Sequence, residues 1–252
     1  MTRSEYQWCY KYVKKNISRI VEVGSRDGMD ALALARKFGA EVIAFECDPR
    51  LISICFSNIS ADNEYGSSIE LRSEALSDHS DVVTFWQIED SMYKNPGAGS
   101  LFEINFSNRS KNDPDRGLTG VQRPVQVEAK RFDELDITPP DLLVMDVQGA
   151  ELKVMHGFGL LLQEINYVVL EAEPVSSYEG GCNLEEIFKF MKKAGFKFAG
   201  SDIAGLKLWH LKLRLFVRSW RLAIQERTLF PHKIHLGIVN LIFESKNGSL
   251  ET

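Results

Sequence analysis

Two glutamates close consecutive predicted strands near the start of the chain, and a glycine turn lies between them. The stretch IVEVGSRDG places Glu22 two residues before Gly24, and Gly28 follows. The next predicted strand, EVIAFE, ends in Glu46. A strand, a glycine turn and a helix form a nucleotide-binding unit, and ligands of such units lie at the carboxyl ends of the strands. The sequence therefore predicts a cofactor site that contains carboxylates.

The sign of these charges indicates which cofactor the site suits. A dinucleotide places its pyrophosphate on the helix N-terminus and uses a third glycine, which is missing here. Glu22 would repel that pyrophosphate, whereas it suits the ammonium group of S-adenosylmethionine, which also carries a sulfonium. Glu46 can accept both ribose hydroxyls, and Glu74 with the backbone at Ala75 can meet the adenine. These features favour S-adenosylmethionine over a nicotinamide dinucleotide, and over a surface turn with solvated carboxylates.

Acidic residues at the ends of two later strands are candidates for catalysis. Asp146 ends the apolar run DLLVMD, and Glu171 and Glu173 end YVVLEAE. Methyl transfer needs an aligned acceptor and removal of its proton, so Asp146 is the candidate general base. The alternative is that Asp146 caps the following helix. Either Glu171 or Glu173 is predicted to contact a polyol acceptor.

Three loop residues are candidates for acceptor binding: Ser100, Gln148 and Tyr178, the last as an aromatic ring against a sugar face.

Glu151 lies in a first helical turn, where a carboxylate suits the helix dipole. His232 and His235 have H-x-x-H spacing, but no acid or cysteine lies near them in the sequence. We predict no metal site from this pattern.

The whole chain is typical of one globular domain. It has 252 residues, long enough for one α/β domain with a buried core. The net charge of −5 gives no bulk attraction for nucleic acid. The four cysteines lack paired spacing and are interpreted as reduced thiols. No signal peptide or membrane-spanning run is predicted, so the expected location is cytoplasmic.

Strand and helix patterns alternate from the first glycine turn onward. They predict an α/β, doubly wound, mostly parallel Rossmann-like sheet, in a single domain of residues 1–252. The stretch 90–122 is rich in Gly, Asn, Ser and Pro and is predicted to be a lid over the acceptor. The first residues, MTRSEYQWCYKYVKKN, are predicted to form a short helix.

A second unusual segment precedes the last strand. Residues 206–227 carry six basic residues and a Trp- and Leu-rich stripe, which predicts a basic amphipathic helix within a helical insertion of 206–233. It could pack on the sheet, contact a membrane surface or form a dimer contact. The sequence leaves these three alternatives, and the oligomeric state, open.

Six stretches give the chain a resemblance to a known family. In order they are VEVGSRDG, AFECDP, EALSD, GAGSL, DLLVMDVQGAELKVMHG and LEAEPVSSYEGG. They resemble FkbM-type methyltransferases, a branch of the class I S-adenosylmethionine-dependent enzymes, over about residues 18–200. The resemblance implies O-methylation of a hydroxyl on a sugar, a glycan or a related small molecule.

The resemblance also implies roles for individual residues. It gives Glu22, Gly24 and Gly28 to the methionine end of the cofactor, Glu46 to the ribose, Glu74 and Ala75 to the adenine, and Asp146 to the transferred methyl. This chain departs from the family at Val144, where a lysine is frequent, and at Gln148, where many relatives have Glu. The segment after Gly205 is also longer than usual. The identity of the acceptor therefore cannot be carried over from the family to this chain. The non-enzyme alternative is a catalytically inactive methyltransferase fold that serves as a binding module.

Overall fold

A computed structural model describes residues 4–89, 91, 93, 95–108, 115, 117–203 and 239–246. The strands are β1 (Arg19–Val23), β2 (Glu41–Phe45), β3 (Ile69–Arg72), β4 (Ala75–Leu76), β5 (Asp81–Ile88), β6 (Gln122–Lys130), β7 (Leu142–Met145), β8 (Tyr167–Ala172), β9 (Phe196–Ser201) and β10 (Val239–Ser245). The helices are α1 (Met29–Phe38), α2 (Pro49–Ala61), α3 (Glu151–Gly157) and α4 (Leu184–Lys193).

The main sheet has seven strands in the order β3-β2-β1-β7-β8-β10-β9. Its pairs are parallel except those of β10, which runs antiparallel to β8 and β9. The chain moves outward from β1 to β3 and then returns to the other side of β1. The strand order therefore reverses between β1 and β7, which is where open α/β sheets bind ligands. The predicted Rossmann-like, mostly parallel sheet is confirmed.

The central strands are buried on both faces. Leu142–Met145 is fully buried, as its continuous apolar run predicts. Side chains of α1 and of the segment before β1 cover one face. Side chains of α3 and α4 cover the other face. The sheet therefore presents its edge at the strand ends to solvent, while its two faces form the core.

Local sequence signals fix the helix ends. The Asp48 side chain accepts a hydrogen bond from the Arg50 N–H, and Pro49 occupies the first helical position of α2. Asn183 opens α4 in a capping box with Glu186. These starts agree with the sequence. The helix after Asp146, α3, ends at Gly157, and a 3-10 segment begins at Gly159, which has a φ of 54°.

Two parts of the fold differ from the sequence interpretation. The predicted N-terminal helix is only a 3-10 turn at Gln7–Cys9, because this segment follows the surface of the sheet instead of its own helical pattern. The sequence predicts one sheet, but β4 and β5 lie outside it and join β6 in a second sheet, of order β4-β6-β5. That pairing joins segments far apart in sequence, which hydrophobic patterning alone does not specify.

Several sequence predictions fall outside the described residues. They are the basic amphipathic helix at 206–227, the helical insertion of 206–233, and the pair His232 and His235. Within the described ranges, no helix combines the length and apolar character needed to cross a membrane. All four cysteines are free, and Cys9 and Cys55 are fully buried.

Candidate active site

A cavity of about 400 Å³ lies at the carboxyl ends of β1, β2, β7 and β8. This volume falls within the usual range for small-molecule sites. We call it the switch-point cavity, because it lies where the strand order reverses. The following sequence-predicted site residues line it: Gly24, Glu46, Glu74, Ala75, Ser100, Asp146, Gln148 and Glu171. The other four candidates, Glu22, Gly28, Glu173 and Tyr178, do not line it.

Glu22 lies beneath the first turn. Side chains alternate along a strand, so Glu22 points to the same face as Ile20 and is 1% exposed. Its Oε2 accepts a hydrogen bond of 2.5 Å from the Ser25 hydroxyl. Burial raises the pKa of Glu22 to about 8, and the acids Asp30 and Glu46 add to this. Glu22 therefore supports the turn from below, with Ser25 between it and the cavity.

The two glycines of the first turn serve different purposes. Gly24 has a φ of 87°, and a Cβ there would lie 2.1 Å from the carbonyl oxygen of Asp146. Only glycine lets the turn lie this close to the end of β7. Gly28 has a φ of 77°, and a Cβ there would contact Cys55 and Ile59 of α2. The structure thus places Gly28 at the contact between the turn and α2.

Glu46 follows β2 and faces the cavity. Its Oε2 accepts a 2.7 Å hydrogen bond from the Arg26 N–H, and its Oε1 accepts one of equal length from the Asp48 N–H. Burial raises the pKa of Glu46 to about 7, although these backbone donors oppose the shift. Each carboxylate oxygen keeps a lone pair for a ligand.

The cavity wall near β4 is largely apolar. Ala75 and Leu76 are buried there, and Phe85 of β5 closes the wall. Glu74 lies at its margin and pairs with Arg72 at 2.5 Å. Partial burial acts to raise the pKa of Glu74, but the hydrogen bond and charge of Arg72 prevail and lower it. A planar aromatic group fits such an environment.

Asp146 follows β7 and faces the cavity. Its backbone N–H donates to the Val23 carbonyl at 3.0 Å, which ties β7 to the first turn. Its Oδ1 accepts a 2.5 Å hydrogen bond from the Gln148 side-chain amide. Burial raises the pKa of Asp146. The N-cap of α3 is Ala150, so Asp146 does not cap this helix.

The remaining predicted acids lie beside Asp146. Glu171 faces the cavity, and its pKa is raised by burial and by the charges of Asp146 and Glu151. Glu173 turns away and accepts hydrogen bonds from the backbone N–H and hydroxyl of Ser177. Glu151 is buried and accepts a hydrogen bond from the Gly149 N–H, as a helix-start carboxylate can.

The 90–122 loop contacts the site through Ser100, which lies in the loop, and through Tyr178, which packs against the loop. The Ser100 hydroxyl donates to the Gln148 carbonyl at 2.8 Å. The buried Tyr178 hydroxyl lies 2.7 Å from Gln148 Oε1 and 3.0 Å from the Ala98 carbonyl. Ile104 and Phe106 are buried against Tyr178. Four apolar residues of this loop therefore form a small core with Ile88 and Tyr178; they are Ala98, Ile104, Phe106 and Val121.

The N-terminal segment also lines the cavity, which the sequence did not predict. Glu5 and Tyr6 form part of the wall. Asp30 holds the segment by accepting from the Ser4 hydroxyl and the Glu5 N–H, and Arg26 pairs with Glu5 at 3.3 Å. The sequence held no signal for these contacts, because they join two segments that are not part of one motif.

Acidic groups dominate the cavity wall. The acids are Glu5, Asp30, Glu46, Asp48, Glu74, Asp146 and Glu171. Arg26 is the basic residue among the described lining residues. A wall of this charge favours a ligand that carries positive charge. Among the described residues, no cluster of three or more His, Cys, Asp or Glu could hold a metal ion.

Comparisons with known proteins agree with this geometry. The methyltransferase FkbM domain model matches residues 22–198, well over half of the chain. The chain is 29% identical over 184 residues to the 2-O-methyltransferase NoeI of Sinorhizobium fredii (strain NBRC 101917 / NGR234), covering 68% of this chain and 70% of that protein. It is 29% identical over 150 residues to Methyltransferase 1 of Beauveria bassiana (strain ARSEF 2860), covering 56% and 58%.

A solved structure shows the same fold. The crystal structure of methyltransferase FkbM from Methylobacillus flagellatus KT superposes with a TM-score of 0.50 at 12% identity. The match covers 75% of this chain and 41% of that one, so this chain spans less than half of that protein. The chain belongs to the FkbM methyltransferase family, whose methyl donor is S-adenosylmethionine.

Proposed function

We propose that this methyltransferase transfers the methyl group of S-adenosylmethionine to a hydroxyl oxygen of a sugar, a glycan or a related small molecule. The observation that carries the proposal is Asp146, a carboxylate with a raised pKa in the switch-point cavity. An O-methyltransferase needs a base of this kind for the acceptor hydroxyl. The name of the relative from Sinorhizobium fredii, a 2-O-methyltransferase, supports oxygen as the acceptor atom.

The cavity fits the cofactor by shape and charge. Its acidic wall suits a sulfonium and an ammonium group. Glu46 would accept the ribose hydroxyls, and the apolar wall of Ala75, Leu76 and Phe85 would hold the adenine. The turn at Gly24 would hold the methionine end, with Glu22 beneath it. When bound, S-adenosylmethionine supplies a methyl carbon that is electrophilic because it is attached to a positive sulfur.

The acceptor would lie between Asp146 and Glu171. Asp146 would take the proton of the acceptor hydroxyl, so that the oxygen could form a bond to the methyl carbon while the bond from that carbon to sulfur breaks and S-adenosylhomocysteine leaves. Glu171 has a raised pKa, so it is protonated at neutral pH and donates a hydrogen bond to a second acceptor oxygen. Asp146 would accept a hydrogen bond from one hydroxyl, and Glu171 would donate one to the neighbouring oxygen. This pair of groups therefore matches an acceptor molecule with neighbouring hydroxyls.

The 90–122 loop would act as a lid on this acceptor. Gly97, Gly99, Ser100 and Leu101 already line the cavity. Closure would remove water from the reacting groups and align them. Its inner surface would then contribute to acceptor choice.

A transfer assay tests the proposal. The full chain is incubated with S-adenosylmethionine labelled in the methyl group and with panels of glycans, free sugars and small hydroxylated compounds. We expect label in a sugar-containing acceptor, with the methyl on oxygen by mass spectrometry. Label only on nitrogen or carbon of other compounds would contradict the proposal.

A further inference from the structure

Gln148 has an unusual backbone conformation next to the proposed base. Its φ is 53°, and Arg26, at 55°, is the other described non-glycine residue with a positive φ. Both line the switch-point cavity. A side chain in the left-handed region is strained and persists only where the surrounding structure fixes it, which occurs most often at functional sites.

Two hydroxyl groups fix Gln148. The Ser100 hydroxyl donates to its backbone carbonyl at 2.8 Å. The Tyr178 hydroxyl lies 2.7 Å from its side-chain Oε1. Tyr178 is itself buried against Ile104 and Phe106. Backbone and side chain of Gln148 are therefore each held by a residue outside its own turn.

The amide nitrogen of Gln148 is consequently aimed at Asp146. It lies 2.5 Å from Asp146 Oδ1, and an ionised carboxylate only accepts hydrogen bonds, so the amide must donate. Within the described part of the chain, no hydrogen bond reaches the other oxygen, Oδ2. One oxygen of the carboxylate is thus occupied, and the other is left for a ligand.

We propose that Gln148 is a positioning residue for Asp146, in which its amide, held by Tyr178 and Ser100, orients the carboxylate and favours its ionised form. The inference rests on the proposed function, because it gives Asp146 the role of base. It assigns Gln148 and Tyr178 to the support of Asp146, in place of the acceptor contacts predicted from the sequence.

The neighbouring charges make this support necessary. The titratable and charged groups that act on or are affected by Asp146 are Glu5, Tyr6, Arg26, Asp30, Glu151 and Glu171. The charges of Glu5 and Asp30 oppose ionisation of Asp146, and the charge of Arg26 favours it. The Gln148 amide is the neutral donor that also stabilises the carboxylate. Without it, the pKa of Asp146 should rise further.

A Gln148→Asn substitution tests the inference. Asparagine tolerates the left-handed region, so the turn is kept. Its side chain is about 1.5 Å shorter, so the amide no longer reaches Asp146. The full chain is labelled with ¹³C at aspartate carboxyls, the Asp146 signal is assigned with Asp146→Asn, and the signal is titrated. We expect an upward pKa shift of about one unit or more.

The matched control is Gln126→Asn, at an exposed glutamine of β6. It should leave the Asp146 titration unchanged. An unchanged Asp146 pKa in Gln148→Asn would overturn the inference, because a role limited to the turn survives this substitution. If that variant does not fold, Tyr178→Phe replaces it, since this change removes only the hydroxyl that holds the amide. A rise in the Asp146 pKa in Tyr178→Phe supports the inference, and no rise overturns it.

Failure of the proposed function is distinguishable from failure of the inference. Binding of S-adenosylhomocysteine to the wild-type chain, measured by calorimetry, tests the cofactor site independently of Gln148. A chain that binds S-adenosylhomocysteine, but whose Asp146 pKa does not respond to Gln148→Asn, keeps the proposed function and loses the inference. A chain that does not bind S-adenosylhomocysteine loses the proposed function whatever the titration shows.

Discussion

At the scale of single residues, Glu46 is the carboxylate best placed for a ribose. Glu46→Ala should weaken binding of S-adenosylhomocysteine at least tenfold, because loss of a charged hydrogen bond costs about 1.5–3 kcal/mol. Calorimetry measures the change, and thermal unfolding checks that the variant folds. Glu41→Ala is the matched control, since Glu41 is an exposed glutamate at the other end of β2. Equal affinities of Glu46→Ala and the wild type would exclude Glu46 from the cofactor site.

Asp146 is the residue on which the chemistry depends. Asp146→Asn should keep S-adenosylhomocysteine binding and lower methyl transfer by roughly 10²-fold or more, the scale of losing a general base. The base works ionised, so wild-type turnover should fall as the pH drops through the pKa of Asp146, above the range of an ordinary aspartate. Initial rates against pH measure this. A variant with near wild-type turnover would contradict the role of base.

The convergence of strand-end acids could be predicted from the sequence. Glu46, Asp146 and Glu171 end parallel strands, whose carboxyl ends share one edge of the sheet. The position of Glu22 beneath the turn depends on the strand's alternation and on Ser25, which the motif does not specify. The hydrogen-bond chain from Asp146 through Gln148 to Tyr178 depends on a strained backbone and a distant loop, so no local pattern predicts it.

At the scale of elements, the 90–122 loop should respond to ligand. Gly97, Gly99, Ser100 and Leu101 line the cavity, so a bound ligand should protect their amides from exchange. Hydrogen exchange with and without S-adenosylhomocysteine and an acceptor measures this. Peptides from α4 provide the control, because no residue of α4 lines the cavity. Equal exchange of the loop in the free and bound states would leave it as an insertion without a lid function.

Main-sheet elements could be predicted because each has its own hydrophobic period and its own caps. The second sheet could not be predicted from the sequence. In it β4 pairs with β6, which lies about fifty residues later in the chain, and local hydrophobic patterning does not specify such a pairing. The position of the N-terminal segment at the cavity could also not be predicted from local sequence patterns. Its contacts are the Glu5–Arg26 pair and the hydrogen bonds to Asp30, which exist only once the first turn and α1 have formed.

At the scale of the whole molecule, acidic residues outnumber basic ones, which gives a net charge of −5. The same excess of acidic residues is found in the wall of the switch-point cavity. Glu22 and Glu46 have pKa values raised to about 8 and about 7 by burial. A cationic ligand binds their ionised forms better, so affinity for S-adenosylmethionine should fall as the pH drops from about 8.5 to about 6. Calorimetry at both pH values measures this, and an affinity that increases toward acid would contradict it.

The central claim is that the switch-point cavity binds the methyl donor and not a dinucleotide. Calorimetric titration of the full chain with S-adenosylhomocysteine, and separately with NAD, tests this without knowledge of the acceptor. We predict single-site binding of S-adenosylhomocysteine and no measurable binding of NAD. Binding of NAD with no response to S-adenosylhomocysteine, or no binding of either, would contradict the account.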